Sequence, residues 1–275
     1  MFDICNKWNI LNSMPLSNEQ KQRYARQIAL PDFGEKEQER LLRGRVLVIG
    51  AGGLGSPALL YLAAAGVGHL GIADNDAVDL TNLQRQILHS TDDLGRMKVH
   101  SGSDTLSALN PDVHIITHQL RFTADNALNV LKDYDFVIDA TDNLASKFLI
   151  ADACHIAGKA YSHAGILEFY GQTITVRPGK TACYRCIFRR EPGECPPFSK
   201  AVMGVVPGIL GTIQATEAIK YLLGIGRLLT NRLLTYDALD MTFRTIDIPR
   251  NENCPLCGKK PEIRDLSSHP TQGKP

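Results

Sequence analysis

An excess of charge of either sign is missing from this chain: 30 Lys and Arg nearly balance 29 Asp and Glu, leaving a formal net charge of +1. No field of the whole molecule draws it to nucleic acid or to an anionic membrane, so an anion site must be built locally. Long apolar runs are also lacking, and none approaches the length that spans a bilayer. The first thirteen residues carry Asp3 and Lys7 and no apolar stretch of the signal-peptide kind. Cysteine, by contrast, is present seven times, and four of the seven form Cys183-Tyr184-Arg185-Cys186 and Cys254-Pro255-Leu256-Cys257. Paired Cys-x-x-Cys units suit a reducing compartment and metal binding better than disulfides. A cytoplasmic protein without membrane or nucleic-acid partners is expected.

With 44% hydrophobic and 21% charged residues over 275 positions, the chain can bury a sizeable core. Ser17 and Gln20 have capping-box spacing, predicting a helix through Tyr24 and Arg26, and a second helix is expected over Glu35–Leu42. Val46–Ile49 is a continuous apolar strand, followed by a glycine turn, a small-residue helix over Leu54–Ala65 and a strand over Leu70–Ala73. Further helices are expected over Lys98–Leu109, Ala124–Lys132, Ser146–Ala157 and Gly208–Leu223. Strands are expected over Val113–Thr117, Phe136–Ala140 and Ala160–Ser162, then Tyr170–Arg177, Arg232–Asp237 and Thr242–Ile248. The alternation of β and α predicts an α/β fold: a Rossmann-like, mostly parallel sheet with antiparallel C-terminal strands and helices on both faces.

The turn Gly50-Ala51-Gly52-Gly53-Leu54-Gly55 stands between strand and helix, where a G-x-G-x-x-G motif holds phosphate. Gly50 permits the tight turn, Gly52 lets the backbone approach a phosphate, and Gly55 lets the helix close on the sheet. Asp74 ends the next strand, where a carboxylate can accept from a ribose hydroxyl. These features fit an NAD-dependent oxidoreductase as well as an ATP enzyme. A triphosphate needs more cations and a metal ion, which Arg85, Lys98 and Asp142 can supply; equally, Arg85 and Lys98 can be surface charges and Asp142 a helix cap.

Arg23-Tyr24-Ala25-Arg26-Gln27, Gly50–Gly55, Ala65-Gly66-Val67-Gly68, Asp74-Asn75-Asp76, Asn82-Leu83-Gln84-Arg85-Gln86, Asp139-Ala140-Thr141-Asp142-Asn143 and both cysteine pairs occur in this order. With these motifs the chain resembles the ThiF/MoeB/HesA family, bacterial relatives of ubiquitin-activating enzymes, over about residues 20 to 258. The resemblance implies adenylation, with ATP, of the C-terminal glycine of a small ubiquitin-like sulfur-carrier protein, in thiamin, molybdopterin or related biosynthesis. It implies a nucleotide set of Gly50, Gly52, Gly53, Gly55, Asp74, Asp76, Asn82, Arg85, Lys98 and Asp142, with Asp142 on Mg²⁺. Arg26 would reach the ATP of the neighbouring subunit in a homodimer. Cys183, Cys186, Cys254 and Cys257 would hold a structural Zn²⁺. The implied organisation is a flexible extension over residues 1–16, one adenylation domain over 17–258 with a mobile crossover loop over 187–204, and a flexible tail over 259–275. A non-catalytic binder of a ubiquitin-like protein is the remaining alternative.

Two pairs of Cys-x-x-Cys complete a closed tetrahedral site, so the zinc would be structural; a redox dithiol is the competing reading. Cys195 lies in the Pro-rich loop near Arg189, Arg190 and Lys200, cations able to lower a thiol's pKa. It reads either as an inert loop thiol or as a covalent or persulfide intermediate fed by a sulfur donor. Cys5 and Cys154 are expected to have no role, and His163-Ala164-Gly165 to line the groove for the incoming tail.

Overall fold

The computed structural model describes residues 15–188 and 201–269. The chain begins with α1 (Asn18–Arg23), α2 (Ala25–Ile28) and α3 (Glu35–Arg43), then β1 (Arg45–Ile49), α4 (Gly55–Ala64) and β2 (His69–Ala73). It continues through α5 (Lys98–Leu109), β3 (His114–His118), α6 (Ala127–Leu131), β4 (Phe136–Asp139) and α7 (Leu144–Ile156). The last part holds β5 (Ala160–Leu167), β6 (Tyr170–Val176), α8 (Tyr184–Ile187), α9 (Val205–Leu223), β7 (Arg232–Asp237) and β8 (Thr242–Asp247).

All eight strands form one sheet in the order β3-β2-β1-β4-β5-β6-β7-β8. The first five pair in parallel and the last three join antiparallel, as expected. Side chains alternate across β1: Val46 and Val48 enter the core with α4 and α9, while Leu47 and Ile49 enter a second core with α6 and α7. Both faces are therefore covered, which is why this strand is apolar at every position from Val46 to Ile49 rather than at every second one. The strand order reverses between β1 and β4, so a crevice opens at their carboxyl ends.

Local differences from expectation have identifiable causes. The Ser17–Gln20 capping box forms, but the helix it starts ends at Arg23 because Tyr24 turns inward. Tyr24 is buried; its hydroxyl accepts from Asn110 Nδ2 at 2.8 Å and donates to Asp112 at 3.3 Å. Helix α6 starts late because the Asn126 side chain accepts from Thr123 N–H and donates to the Arg121 carbonyl, closing a turn over its expected first residues. Strand β5 runs five residues beyond the expected Ser162, because β6 folds back along it from Tyr161 to Leu167.

Two expected boundaries are corrected. Leu16, placed in the flexible extension, is 5% exposed. Residues 259–269, placed in the flexible tail, lie against the body: Ile263 and Leu266 join the core beside α7, and His269 Nε2 is 2.7 Å from Asp152. Burying one such leucine contributes about 1.5–3 kcal/mol, enough to hold a short segment down. Of the crossover loop, residues 189–200 lie outside the described residues.

Candidate functional site

The glycine turn leaves β1 at the crevice. Gly50 has φ +102°, and a Cβ there would lie 2.7 Å from the Ala140 carbonyl oxygen at the end of β4. A Cβ on Gly55 would lie 1.9 Å from the Gly50 carbonyl oxygen, so no side chain is possible. Gly52 differs: the nearest atom to its Cβ position is Gln86 Nε2 at 3.6 Å, leaving the backbone approachable. Helix α4 begins here and turns its positive end to the opening. His89, buried behind the turn, donates from Nε2 to the Ala51 carbonyl at 3.0 Å and accepts from Ser101 at 2.8 Å. Burial holds the His89 pKa below its ordinary value despite the Ala51 bond, so the ring is neutral. No sequence pattern marked His89, because both partners are distant in the chain.

Several expected site residues meet at this turn. Asp74 accepts from Ala51 N–H and Asp76 N–H, each at 2.8 Å, which fixes its carboxylate beside the glycines. Lys98 is 5% exposed and donates from Nζ to Asp76 at 3.0 Å. Arg85 lies over Gly53, its Cγ 3.3 Å from the Cβ position there, and its guanidinium donates to the Thr81 carbonyl at 3.1 Å. The Asn82 carbonyl accepts from the Arg85 and Gln86 N–H groups, so a short turn orients both side chains. Ser56 Oγ and Gln86 Oε1 are buried without a partner, polar atoms left for a ligand to satisfy. Asp142 is exposed in the loop after β4, two residues beyond the Ala140 carbonyl that touches Gly50. The arrangement suits a phosphate chain. Arg26 is exposed on α2, whose packing partners are α1 and α3, and it makes no ion pair among the described residues. No ion pair among the described residues of one chain joins it to the crevice.

Beneath the Asp142 loop lies a buried cluster that sequence reasoning missed. Asp139, 1% exposed, accepts from Thr141 N–H at 3.1 Å, Thr141 Oγ1 at 2.7 Å, His163 Nδ1 at 2.8 Å and Lys147 Nζ at 3.2 Å. Lys147 Nζ also donates to the Ala164 carbonyl at 2.7 Å. Burial alone would raise the Asp139 pKa; the Lys147 charge and the His163 and Thr141 hydrogen bonds outweigh it and hold the carboxyl well below its usual range. Burial and Lys147 lower the His163 pKa against the pull of Asp139. His163 is 1% exposed, so it does not line an open groove as expected; it is a core residue. Its ring meets Tyr184 edge-on at 4.6 Å between centroids.

Tyr184 belongs to the first cysteine pair. The four sulfurs of Cys183, Cys186, Cys254 and Cys257 all lie within 4.8 Å of one another, with close pairs at 3.4, 3.5 and 3.8 Å. Ligands about 2.3 Å from a tetrahedral zinc stand about 3.8 Å apart, so the cluster can hold such an ion. All four are free cysteines in the structure. Around them, Arg250 donates to the Cys257 and Gly179 carbonyls, and Asn251 N–H points at Cys186 Sγ at 3.5 Å. Arg185 makes a two-pronged ion pair with buried Asp152, each contact 2.8 Å, and so ties the first pair to α7. Cys154 is buried in α7 and burial raises its thiol pKa far above the ordinary value, as expected of an inert residue. Cys195 and its flanking Arg189, Arg190 and Lys200 lie outside the described residues.

Comparison with known proteins agrees with this geometry. The model of the ThiF family matches residues 24–256. The chain is 43% identical to a sulfur carrier protein adenylyltransferase of Thermus thermophilus, over 92% of this chain and 96% of that one. It is 44% identical to the SAMP-activating enzyme E1 of Haloferax volcanii, over 90% and 92% of the respective chains. Among solved structures, E. coli MccB with ATP shares the fold, with a TM-score of 0.75 and 24% identity over 86% of this chain and 74% of that one. A match across nearly the whole described body, together with the glycine turn, the cationic crevice and the four-cysteine cluster, places this chain in the ThiF family.

Proposed function

We propose that this protein adenylates the C-terminal glycine of a small ubiquitin-like sulfur-carrier protein. The carboxylate oxygen attacks the α-phosphorus of ATP, a P–O bond forms, and pyrophosphate leaves. The nucleophile is already an anion, so no general base is required. The barrier comes from bringing two anions together, and positioning with charge neutralisation is the remedy. Open backbone at Gly52 and the α4 N-terminus receive phosphate oxygens. Lys98 and Arg85 add cationic hydrogen bonds, with Asn82 beside them. Asp74, its carboxylate already oriented by Ala51 and Asp76, accepts from the ribose. The observation that carries this reading is the approachable Gly52 backbone flanked by Lys98 and Arg85, in a chain of this family.

Asp142 would hold Mg²⁺, which when bound neutralises phosphate charge; its exposure at the crevice suits that role. The four cysteines would hold Zn²⁺ in a closed, structural site. Arg26, exposed and outside any ion pair among the described residues, would complete the site of a second subunit in a homodimer. Cys195 would be the point of covalent or persulfide chemistry if a sulfur donor acts on this chain, and the protein would work in the cytoplasm. No helix among the described residues is long and apolar enough to cross a membrane.

The glycine turn alone would also serve NAD, but family membership decides against an oxidoreductase. A mere binder would have no use for Lys98, Arg85 and Asp142 around one opening. The test is carrier-dependent exchange of labelled pyrophosphate into ATP with a diglycine-ended carrier. Exchange that also disappears when the carrier's last glycine is removed supports adenylation. Carrier binding without exchange supports the binder, and NADH turnover the oxidoreductase.

A further inference from the structure

We infer that Asp139, Lys147 and His163 act together as a buried positioning unit for Asp142, setting how well the loop after β4 accepts a metal–nucleotide. The inference deepens the adenylation reading and rests on it. The carboxylate of Asp139 joins three elements. It terminates β4, it receives the Lys147 ammonium from α7 at 3.2 Å, and it receives His163 Nδ1 from β5 at 2.8 Å. Its other oxygen accepts both the N–H and the hydroxyl of Thr141, at 3.1 and 2.7 Å. Thr141 immediately precedes Asp142 in the chain. On the other side, Asn143 caps α7 by accepting from Ser146 N–H at 2.9 Å. Asp142 is thus an exposed residue whose two chain neighbours are both fastened down by hydrogen bonds.

A buried carboxylate is costly unless it is paired and fully hydrogen-bonded, and here it is both. An apolar residue would fill the same space, but it could not accept two hydrogen bonds from Thr141. The Ala140 carbonyl between them lies 2.7 Å from where a Gly50 Cβ would be, so the turn is packed tightly on that side as well. The unit acts on the ligand only through Thr141 and Asp142, and its members touch no substrate.

The obvious variant, Asp139→Asn, risks unfolding because it strands the buried Lys147 ammonium. The milder variant is Thr141→Val, which deletes the hydroxyl donor at nearly constant volume, with Thr141→Ser restoring it. Equilibrium binding of ATP is measured with Mn²⁺, read by the paramagnetic signal of bound metal, and again with the metal chelated by EDTA. Loss of a hydrogen bond to a charged acceptor is expected to weaken Mn²⁺-dependent binding about tenfold. Metal-free ATP binding should be unchanged, Tm preserved, and Thr141→Ser should bind as the unmodified protein does. Unaltered Mn²⁺–ATP binding by Thr141→Val overturns the inference, as does equal weakening with and without metal. If the unmodified protein binds no ATP, the adenylation reading falls and this inference falls with it. If it binds ATP and Thr141→Val is indifferent, the positioning unit alone is refuted.

Discussion

Asp142 and Gly55 are opposite kinds of site residue, and substitution separates them. Asp142 is exposed and bears no part of the core. Asp142→Ala should reduce pyrophosphate exchange by about a hundredfold or more while leaving Tm unaltered. Wild-type exchange would remove Asp142 from the chemistry. Gly55→Ala places a carbon 1.9 Å from the Gly50 carbonyl oxygen. The backbone must move, and a loss of more than about 2 kcal/mol in a denaturant titration is expected. The glycine turn, Asp74 and Arg85 each belong to a short motif with fixed spacing, which is why the sequence singles them out, while Lys98 stands outside any such motif and is singled out as a cation. In the sequence Asp139 belongs to a strand and to the Asp139–Asn143 motif with no role of its own, and His163 is expected in a groove. Their roles come from partners up to 24 residues away across the sheet, and no local pattern encodes such a meeting.

Among the elements, α5 was legible to the residue: Lys98–Leu109 is both expected and observed, stopped by Asn110 before Pro111. Strand β5 was not, because Gly165 and His163 interrupt its apolar pattern while β6 supplies its second half. The tail over 259–269 reads as loose because most of its side chains are polar, whereas Ile263, Leu266 and His269 turn toward the body. Truncation after Gly258 should therefore lower Tm; an unaltered melting curve would show the segment to be dispensable. The buried histidines give the elements a pH response. His89 and His163 have folded pKa values below the ordinary value of about 6.5, chiefly through burial. Above that pH both folded and unfolded forms are neutral. Below it the unfolded chain binds protons that the folded one resists, so stability falls with acid. Melting from about pH 8 down to about pH 5 should show a declining Tm, with a shallower decline in His89→Asn than in the unmodified protein.

For the whole molecule, the question is whether one chain suffices. Arg26 meets no anionic partner among the described residues, and the proposed homodimer would give it one. Variants Arg26→Ala and Asp142→Ala should each be inactive alone. Mixed and allowed to exchange subunits, they should recover about a quarter of the unmodified rate, since half the dimers are mixed and each has one intact site. No recovery after verified subunit exchange would place Arg26 and Asp142 in the same chain's site.

The two halves of the cysteine cluster stand 71 residues apart in the chain. During synthesis the first pair leaves the ribosome well before the second, separated by all of α9, β7 and β8. Until Cys254 and Cys257 emerge, Cys183 and Cys186 offer a metal only two of its four ligands. Capture of the proposed metal would therefore be a late event in the life of each new chain, a seal on finished work rather than a nucleus for it. A nascent chain arrested short of its end would carry two unclaimed thiols, and alkylation with a bulky maleimide would reveal them.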